Sequence, residues 1–248
     1  MKISVITVVY NAENYIKDCI ESVVAQTYPA IEYIVVDGGS TDRTISIIGN
    51  YVQNIAHFVS EKDQGMYDAL NKGMALATGD VIGILNADDM LAAPNVIEKI
   101  AQAFSRTQAD AIYGNLNYVN VDPPYKIIRK WVSTPYTPRG IVMGWMPAHP
   151  TLYVKSEIFK KFGNYSLLYG TAADYELILR FLFKHRIRAM YLNELIVNMR
   201  VGGMSNANYK QRYRAFLNDL KAIKTNGIPF AYVTVILKKL RKLPQFFA

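Results

Sequence analysis

Short apolar runs and amphipathic stretches alternate along the first third of the chain. ISVITVV (3–9) reads as a buried strand, and residues 13–26 then show helical spacing, with Ile16, Ile20, Val23 and Val24 on one face. IEYIVVD (31–37) is the second strand, after which Ser40 or Thr41 can cap a helix running to about Tyr51. IAHFVS (55–60) reads as a third strand, residues 65–77 as an amphipathic helix stopped by Gly79, and VIGIL (81–85) as a fourth strand. Buried β-runs separated by single helices predict an α/β fold with a mostly parallel, doubly wound central sheet flanked by helices. Such sheets bind ligands at the carboxyl ends of their strands. Asn11, Asp37, Asp63 and Asp88 all fall at such ends.

The pattern is less regular beyond residue 90. Pro94 starts a helix to about Arg106, and AIYGNLNYVN pairs with KIIRKWV as a hairpin or mixed strands around Pro123-Pro124. The segment 133–150 carries four prolines and reads as an active-site loop. TLYV (151–154) predicts a strand, 173–185 a helix, IVNMR (196–200) a late strand, 202–209 a mobile loop and 207–226 a further helix.

Composition narrows the class. A chain of 248 residues with 51% hydrophobic content buries one large core, which excludes disorder. Cys19, the single cysteine, sits in a helical pattern and excludes an internal disulfide framework, which suggests a reducing compartment. Met1-Lys2 leads directly into the first strand, so a leader is not expected, and no run of 18 apolar residues spans a bilayer. Charge is uneven: residues 1–110 hold 7 Lys/Arg against 14 Asp/Glu, whereas 111–248 hold 21 against 6. That asymmetry points to an anionic partner on the C-terminal side. A nucleic-acid-binding protein would share the +8 net charge, but its basic surface would carry interleaved aromatics without a carboxylate-rich cleft.

The strongest chemical signal is Asn86-Ala87-Asp88-Asp89 at the end of the fourth strand. Carboxylates where a buried strand emerges are costly unless a cation or solvent compensates them, and hard oxygen ligands suit Mg²⁺ or Mn²⁺ arriving with a phosphate. On the 65–77 helix Asp68, Asn71 and Lys72 share one face, while Met66, Leu70, Gly73 and Ala77 share another. The polar face is either an exposed ion pair or the border of a ligand site. Asp174 opens a helix with Leu177, Ile178, Phe181 and Leu182 on its apolar face, which makes it a cap or a general base. His149, in the turn PAHP, is a metal or diphosphate contact or simply a hydrogen-bonded loop residue; His57 and His185 read as structural.

Taken in order, ISVITVVYNAENYIKDCIESVVAQTYPAIEYIVVDGGSTDRT, DQGMYDALNKGMALATGD, LNADD, PAHPTLYVKSEIFKKFG and AADYELILRF resemble family-two glycosyltransferases of the GT-A fold, over roughly residues 3–205. The resemblance implies an inverting transferase of the bacterial cell-surface polysaccharide type, moving a sugar from a nucleotide diphosphate sugar to an acceptor hydroxyl. It implies that Asp37 meets the donor's base, that Thr7, Tyr10 and Asn11 line the nucleoside pocket, and that Gly65, Asp68, Lys72, Asn86, Ala87 and Asp88 border the sugar and diphosphate. Asn86-Ala87-Asp88 takes the place of the family's Asp-x-Asp motif with its first acid replaced, which leaves Asp88 as the direct metal ligand for Mn²⁺ or Mg²⁺ and Asp89 in a supporting role. Asp174 takes the place of the general base. His149 and Arg200 are further diphosphate or acceptor contacts, Arg200 closing with the 202–205 loop. A non-catalytic sugar-nucleotide-binding module and a nucleotidyltransferase are the alternatives.

The expected organisation is a GT-A domain over 1–205, with a nucleotide-binding half (1–110) and an acceptor-binding half (111–205), and a basic helical extension over 206–248. IPFAYVTVILKKLRKLPQFFA joins an apolar stretch to Lys238, Lys239, Arg241 and Lys242, a composition that suits an anionic membrane interface or a terminal helix packed on the domain or a dimer partner. Membrane attachment would suit a polyprenyl-linked acceptor at the inner face of the cell membrane, in an otherwise cytoplasmic protein; a glycan acceptor is the other expectation.

Overall fold

The computed structural model describes residues 1–123, 125–201 and 209–242. In chain order the elements are β1 (Ile3–Val9), α1 (Ile16–Val24), β2 (Ile31–Asp37), α2 (Thr44–Gly49), β3 (His57–Ser60), α3 (Met66–Leu76), β4 (Val81–Ile84), β5 (Asp89–Leu91) and α4 (Val96–Arg106). There follow β6 (Ala111–Val119), β7 (Ile127–Trp131), α5 (Pro138–Val142), β8 (Tyr153–Lys155), α6 (Ser156–Phe162), α7 (Ala173–Ile178), β9 (Ala189–Arg200), α8 (Tyr209–Thr225) and α9 (Ala231–Leu240). A wide helical turn, Leu179–Lys184, extends α7.

One sheet holds the molecule together, in the order β3-β2-β1-β4-β8-β6-β9-β5, with β7 paired to β6. The first four neighbours are parallel, as the βαβ pattern predicts. Beyond β4 the directions mix: β8 runs antiparallel to both β4 and β6, β9 is parallel to β6, and β5 is antiparallel to β9. The two halves of the chain therefore share one sheet rather than forming separate bodies.

Side-chain alternation splits the core into two layers. Ile6, Val8, Ile34, Val36 and Ile84 face α3, α6 and α7, whereas Ile3, Val5, Val9, Val35 and Leu85 face α1 and α4. Gly73 is where α3 lies closest to the sheet: a Cβ there would come within 2.5 Å of Ile6 Cγ2. α1 buries Ile16, Cys19, Ile20 and Val23, while Val24 is 40% exposed, so Cys19 takes the place expected of Val24. Met66 likewise leaves the apolar face of α3, at 42% exposed. Ser40 and Thr41 do not cap α2; the Asp42 carboxylate accepts from the Thr44 N–H instead. Burial raises the Cys19 thiol to about 12, so it is an inert packed group.

Below the sheet, away from the strand ends that carry the site, Glu32 closes the amino ends of β1, β2 and β4. It accepts from Lys2 Nζ (2.6 Å), Ser4 Oγ (2.6 Å) and both the N–H and hydroxyl of Thr78 (2.7 and 2.6 Å). His57 lies 4.0 Å from the same carboxylate and His185 stacks on Phe162 at 3.9 Å, structural places as expected for both.

The C-terminal helices fold back on the domain. α9 packs on α5 and α8 through buried Thr234 and Val235, and Gly144 passes so close that a Cβ would fall 2.3 Å from the Lys238 backbone nitrogen. Two of the tail's cations turn inward: Lys238 pairs with Asp219 at 2.8 Å and lies 3.5 Å above the Tyr175 ring, and Arg241 Nε donates to the Met143 carbonyl. The outer face of α9 leaves Tyr232, Val233, Ile236 and Leu240 each at least half exposed. Among the described residues no helix is long and apolar enough to cross a membrane.

Candidate active site

The carboxyl ends of β1 and β2 are knitted together by short polar loops. Asp37 is fully buried, and its carboxylate accepts from the Gly39 and Ser40 N–H groups (3.0 Å each), from Ser60 Oγ (2.7 Å) and from Ser40 Oγ. Asn11, in the left-handed region at φ 48°, accepts from the Thr41 N–H, and its own N–H donates to Ser40 Oγ. The rim therefore presents the 38–41 turn and the ring of Tyr10, which is 63% exposed. Thr7 differs from its expected place. It points into the α1 layer with no exposure, and its hydroxyl meets Tyr33 OH at 3.1 Å and the Cys19 thiol. Strand alternation puts it inside the core, so it lines no pocket.

At the end of β4 the chain turns through Asn86, buried Ala87 and partly buried Asp88 into β5. Burial raises the Asp88 carboxyl above its ordinary range, against the pull of Arg200. Asp89 is fully enclosed; burial first, and then the charge of Asp88, push its carboxyl well up. Its Oδ2 accepts from Asn86 Nδ2 at 2.9 Å, but Oδ1 is buried with no partner. Two adjacent desolvated carboxylates, one with an orphaned oxygen, fit a cation. Among the described residues no three His, Cys, Asp or Glu side chains converge into a cage. The site suits an ion held by one or two carboxylates and completed by phosphate and water, the manner of Mg²⁺.

Arg200 supports this turn from behind and is not presented to a ligand. Only 3% exposed, it donates to the Asp88 carbonyl (2.9 Å), the Val121 carbonyl (3.3 Å), Tyr125 OH (2.6 Å) and the Asp18 carboxylate. The expected closure of Arg200 over the diphosphate is corrected accordingly: its donors are already committed. The 202–205 loop expected to close with it lies outside the described residues.

The opposite wall comes from α3 and α7. The α3 face carries Asp68, which accepts from the Gln64 N–H, and Lys72, which pairs with Glu61 at 2.8 Å and lies 3.8 Å from Asp68. Gly65 begins this helix at φ 110°, a conformation that favours glycine. One turn on, Asn71 clamps Tyr165 by accepting its N–H (3.0 Å) and donating to its carbonyl (2.9 Å). Tyr165 OH meets His149 Nε2 at 2.7 Å, and its ring lies 5.5 Å from that of Tyr67. Asp174 closes the group. Burial and then the Asp174 charge raise the Tyr67 hydroxyl, which is in hydrogen-bonding contact with that residue. Asp174 Oδ1 also accepts from the Tyr175 N–H at 2.7 Å. Burial lowers the His149 imidazole and Asp174 only partly offsets this, so the ring is neutral at pH 7. The His149–Thr151 turn packs on both β4 and α7, which brings Asp174 to the side of the sheet where the 86–89 turn emerges.

Of the residues singled out in the sequence, the structure thus brings His149 and Asp174 together with α3, which carries Asp68 and Lys72, while Asn86, Ala87 and Asp88 follow β4, on which the His149–Thr151 turn packs. Asp37, Asn11 and Tyr10 shape the adjacent β1–β2 rim. Tyr67, Asn71, Tyr165 and Asp18 were not singled out for these contacts. Asn71 stands on the face that the sequence marks together with Asp68 and Lys72, but its partner does not show there, since Tyr165 is 94 positions away from its clamp.

Comparison with known proteins places the chain in a family. The family model described as Glycosyl transferase family 2 matches residues 4–173, ending one residue before Asp174. An uncharacterized glycosyltransferase of Mycobacterium tuberculosis is 33% identical over 181 residues, 72% of this chain and 68% of that protein. A PGL/p-HBAD biosynthesis glycosyltransferase of Mycobacterium bovis is 26% identical over 94% of this chain and 89% of its own. Among solved structures, S. aureus TarS in complex with UDP-GlcNAc superposes with a TM-score of 0.73 at 20% identity, covering 98% of this chain and 73% of the other. A mannosyltransferase from Pyrobaculum calidifontis, in complex with GDP-Man and Mn²⁺, gives 0.68 at 17%, covering 99% and 73%. These likenesses show the GT-A fold.

Proposed function

The chain belongs to glycosyl transferase family 2, and from that premise we propose that it moves a sugar from a nucleotide diphosphate sugar to the hydroxyl of a glycan or polyprenyl-linked acceptor, with inversion at the anomeric carbon. The observation that carries this reading is the group Asp174–Tyr67–Tyr165–His149, which joins a solvent-reachable carboxylate to α3, the helix that carries Asp68 and Lys72. The ligands of the two structural neighbours, UDP-GlcNAc in one and GDP-Man with Mn²⁺ in the other, support a donor of this class. On this reading residues 1–110 handle the donor, 111–205 the acceptor, and 206–248 are the basic extension, which carries α8 and α9.

Each group has a stated task. Tyr10 and the 38–41 turn, held in shape by Asp37 and Asn11, receive the nucleoside. Gly65, Asp68 and Lys72 flank the sugar and diphosphate. Asp88, supported by Asp89, would hold Mg²⁺ or Mn²⁺, which when bound supplies positive charge against the leaving diphosphate. Asp174 takes the proton from the acceptor hydroxyl as that oxygen attacks the face of the anomeric carbon opposite the leaving group. Tyr67 orients that carboxylate, and neutral His149 fixes Tyr165 beneath it. The exposed apolar face of α9 and the basic residues near it would rest on an anionic membrane surface, the natural location of a polyprenyl-linked acceptor.

The test is a panel of nucleotide diphosphate sugars incubated with Mn²⁺ and a mixed set of glycan and lipid-linked acceptors, with products analysed by NMR. We expect one sugar transferred with inverted anomeric configuration and loss of turnover on chelation. Retained configuration, or transfer of the nucleotide instead of the sugar, would refute the reading.

A further inference from the structure

A groove of about 310 Å³ opens between the end of β7 and the C-terminal end of α9. Its floor and sides are built from Trp131, Val132, Trp145 and Met146, and four cations border it: Lys130, Lys238, Arg241 and Lys242. Lys238 is committed to Asp219 and to the face of Tyr175. Lys130 is exposed, and neither it nor Lys242 forms a salt bridge to a carboxylate among the described residues. Lys242 sits among Lys238, Arg129, Asp219 and Asp174; desolvation first, and then repulsion from Lys238, lower its ammonium pKa, so the groove holds an excess of positive charge that an anion would relieve.

Two features connect this groove to chemistry. The first is its nearness to the proposed base: Tyr175, whose ring underlies Lys238, is the residue next to Asp174, and Lys242 lies within electrostatic reach of the Asp174 carboxylate. The second is the apolar character of its lining: Trp131, Val132, Trp145 and Met146 stand among the cations, and Val132 is 61% exposed. A cationic cleft with an apolar lining matches an amphiphile that carries its negative charge next to a hydrocarbon chain.

We propose that this groove binds the diphosphate of a lipid-linked sugar acceptor, Lys130, Arg241 and Lys242 facing the phosphates and Trp131, Val132 and Met146 taking the first units of the hydrocarbon chain. This rests on the glycosyl-transfer reading for its purpose, because it sets the acceptor sugar toward Asp174. It accounts for the fold of the tail: α9 is held on the 140–146 segment by Thr234 Oγ1 and Arg241 Nε, which bond the Val142 and Met143 carbonyls, so the cations are fixed in place before a ligand arrives.

The sequence provides its own reporter, since Trp131 and Trp145 are the two tryptophans of the chain and both line the groove. The full-length protein is titrated in EDTA, which leaves the donor diphosphate site without its cation, and tryptophan fluorescence is followed with geranyl diphosphate, inorganic pyrophosphate and geraniol. We expect a saturable change with geranyl diphosphate, at least tenfold weaker binding of pyrophosphate and of geraniol, and at least a tenfold rise in Kd for geranyl diphosphate in K130Q/K242Q. K130Q alone, remote from the fold of α9, should weaken binding at least threefold. No saturable change in the wild type, equal affinity for pyrophosphate or geraniol, or an unaltered Kd in the variants would each overturn the proposal. A thermal shift with nucleotide sugars and Mn²⁺, read separately, reports on the donor site, so failure of the glycosyl-transfer reading and failure of this one are distinguished.

Discussion

Replacing Asp174 with asparagine separates chemistry from architecture. The Asp174 side chain accepts the Tyr175 N–H through Oδ1 and is in hydrogen-bonding contact with Tyr67, and an asparagine oxygen keeps the first of these bonds. What the variant loses is a negative charge in the first turn of α7, worth about 0.3–1 kcal/mol against a helix dipole. For a chain of this size that amounts to a fall in Tm of no more than about 4 °C. General-base assistance is worth about 10²–10⁴ in rate, or roughly 3–5 kcal/mol of transition-state free energy. The two effects therefore differ by several kcal/mol and fall on different observables. We expect kcat with the acceptor found in the product screen to drop at least a hundredfold, while the donor-induced thermal shift with Mn²⁺ stays within twofold of wild type. The assay is release of nucleoside diphosphate under saturating donor and acceptor, beside the thermal shift. A kcat within threefold of wild type would remove Asp174 from the mechanism, and donor affinity falling in step with kcat would make its role structural.

Glu32 sets the acid limit of stability. Burial alone would raise its carboxyl, but the hydrogen bonds from Lys2, Ser4 and Thr78 prevail and hold it at about 2 against an ordinary 4.5. A depressed carboxyl stabilises the fold above its unfolded value, so the contribution is complete above about pH 4.5 and is lost as pH falls toward 2. Since Lys2 is partly exposed, it is worth no more than about 3 kcal/mol, and Glu32→Gln should flatten the denaturation profile between pH 2 and 4.5; an unchanged profile would count against it. Arg200→Met should cost about 3 kcal/mol by urea unfolding, toward the lower end for a broken buried pair because Asp18 is partly exposed, and Asp18→Asn in the same chain should recover part of it. A loss below 1 kcal/mol would mean that the guanidinium does not hold the Asp88 turn.

Much of the architecture was legible before any coordinates. Apolar runs at 3–9, 31–37 and 81–85 became the parallel strands β1, β2 and β4, because a strand buried on both faces must be apolar throughout. The 65–77 pattern became α3 because its spacing buries Leu70 and Gly73 together. Acidic residues where those strands end located the rim. β9 was half hidden, since 189–195 is amphipathic and only 196–200 carries a strand signal. α6 was not anticipated.

Which way each polar side chain faces was decided only by the tertiary structure. Alternation along a strand assigns opposite faces but does not say which face meets solvent, so Thr7 went to the core while Tyr10, past the strand's end, reached the rim. The same limit applies to Arg200: in the sequence it is a cation beside a glycine pair, and its burial follows from Asp18 and Tyr125 arriving from segments 182 and 75 positions away. The positions of strand and helix are local properties, carried by the period of apolar residues. The partners of a buried charge are long-range properties, fixed only when distant segments close around it and replace the water it gives up.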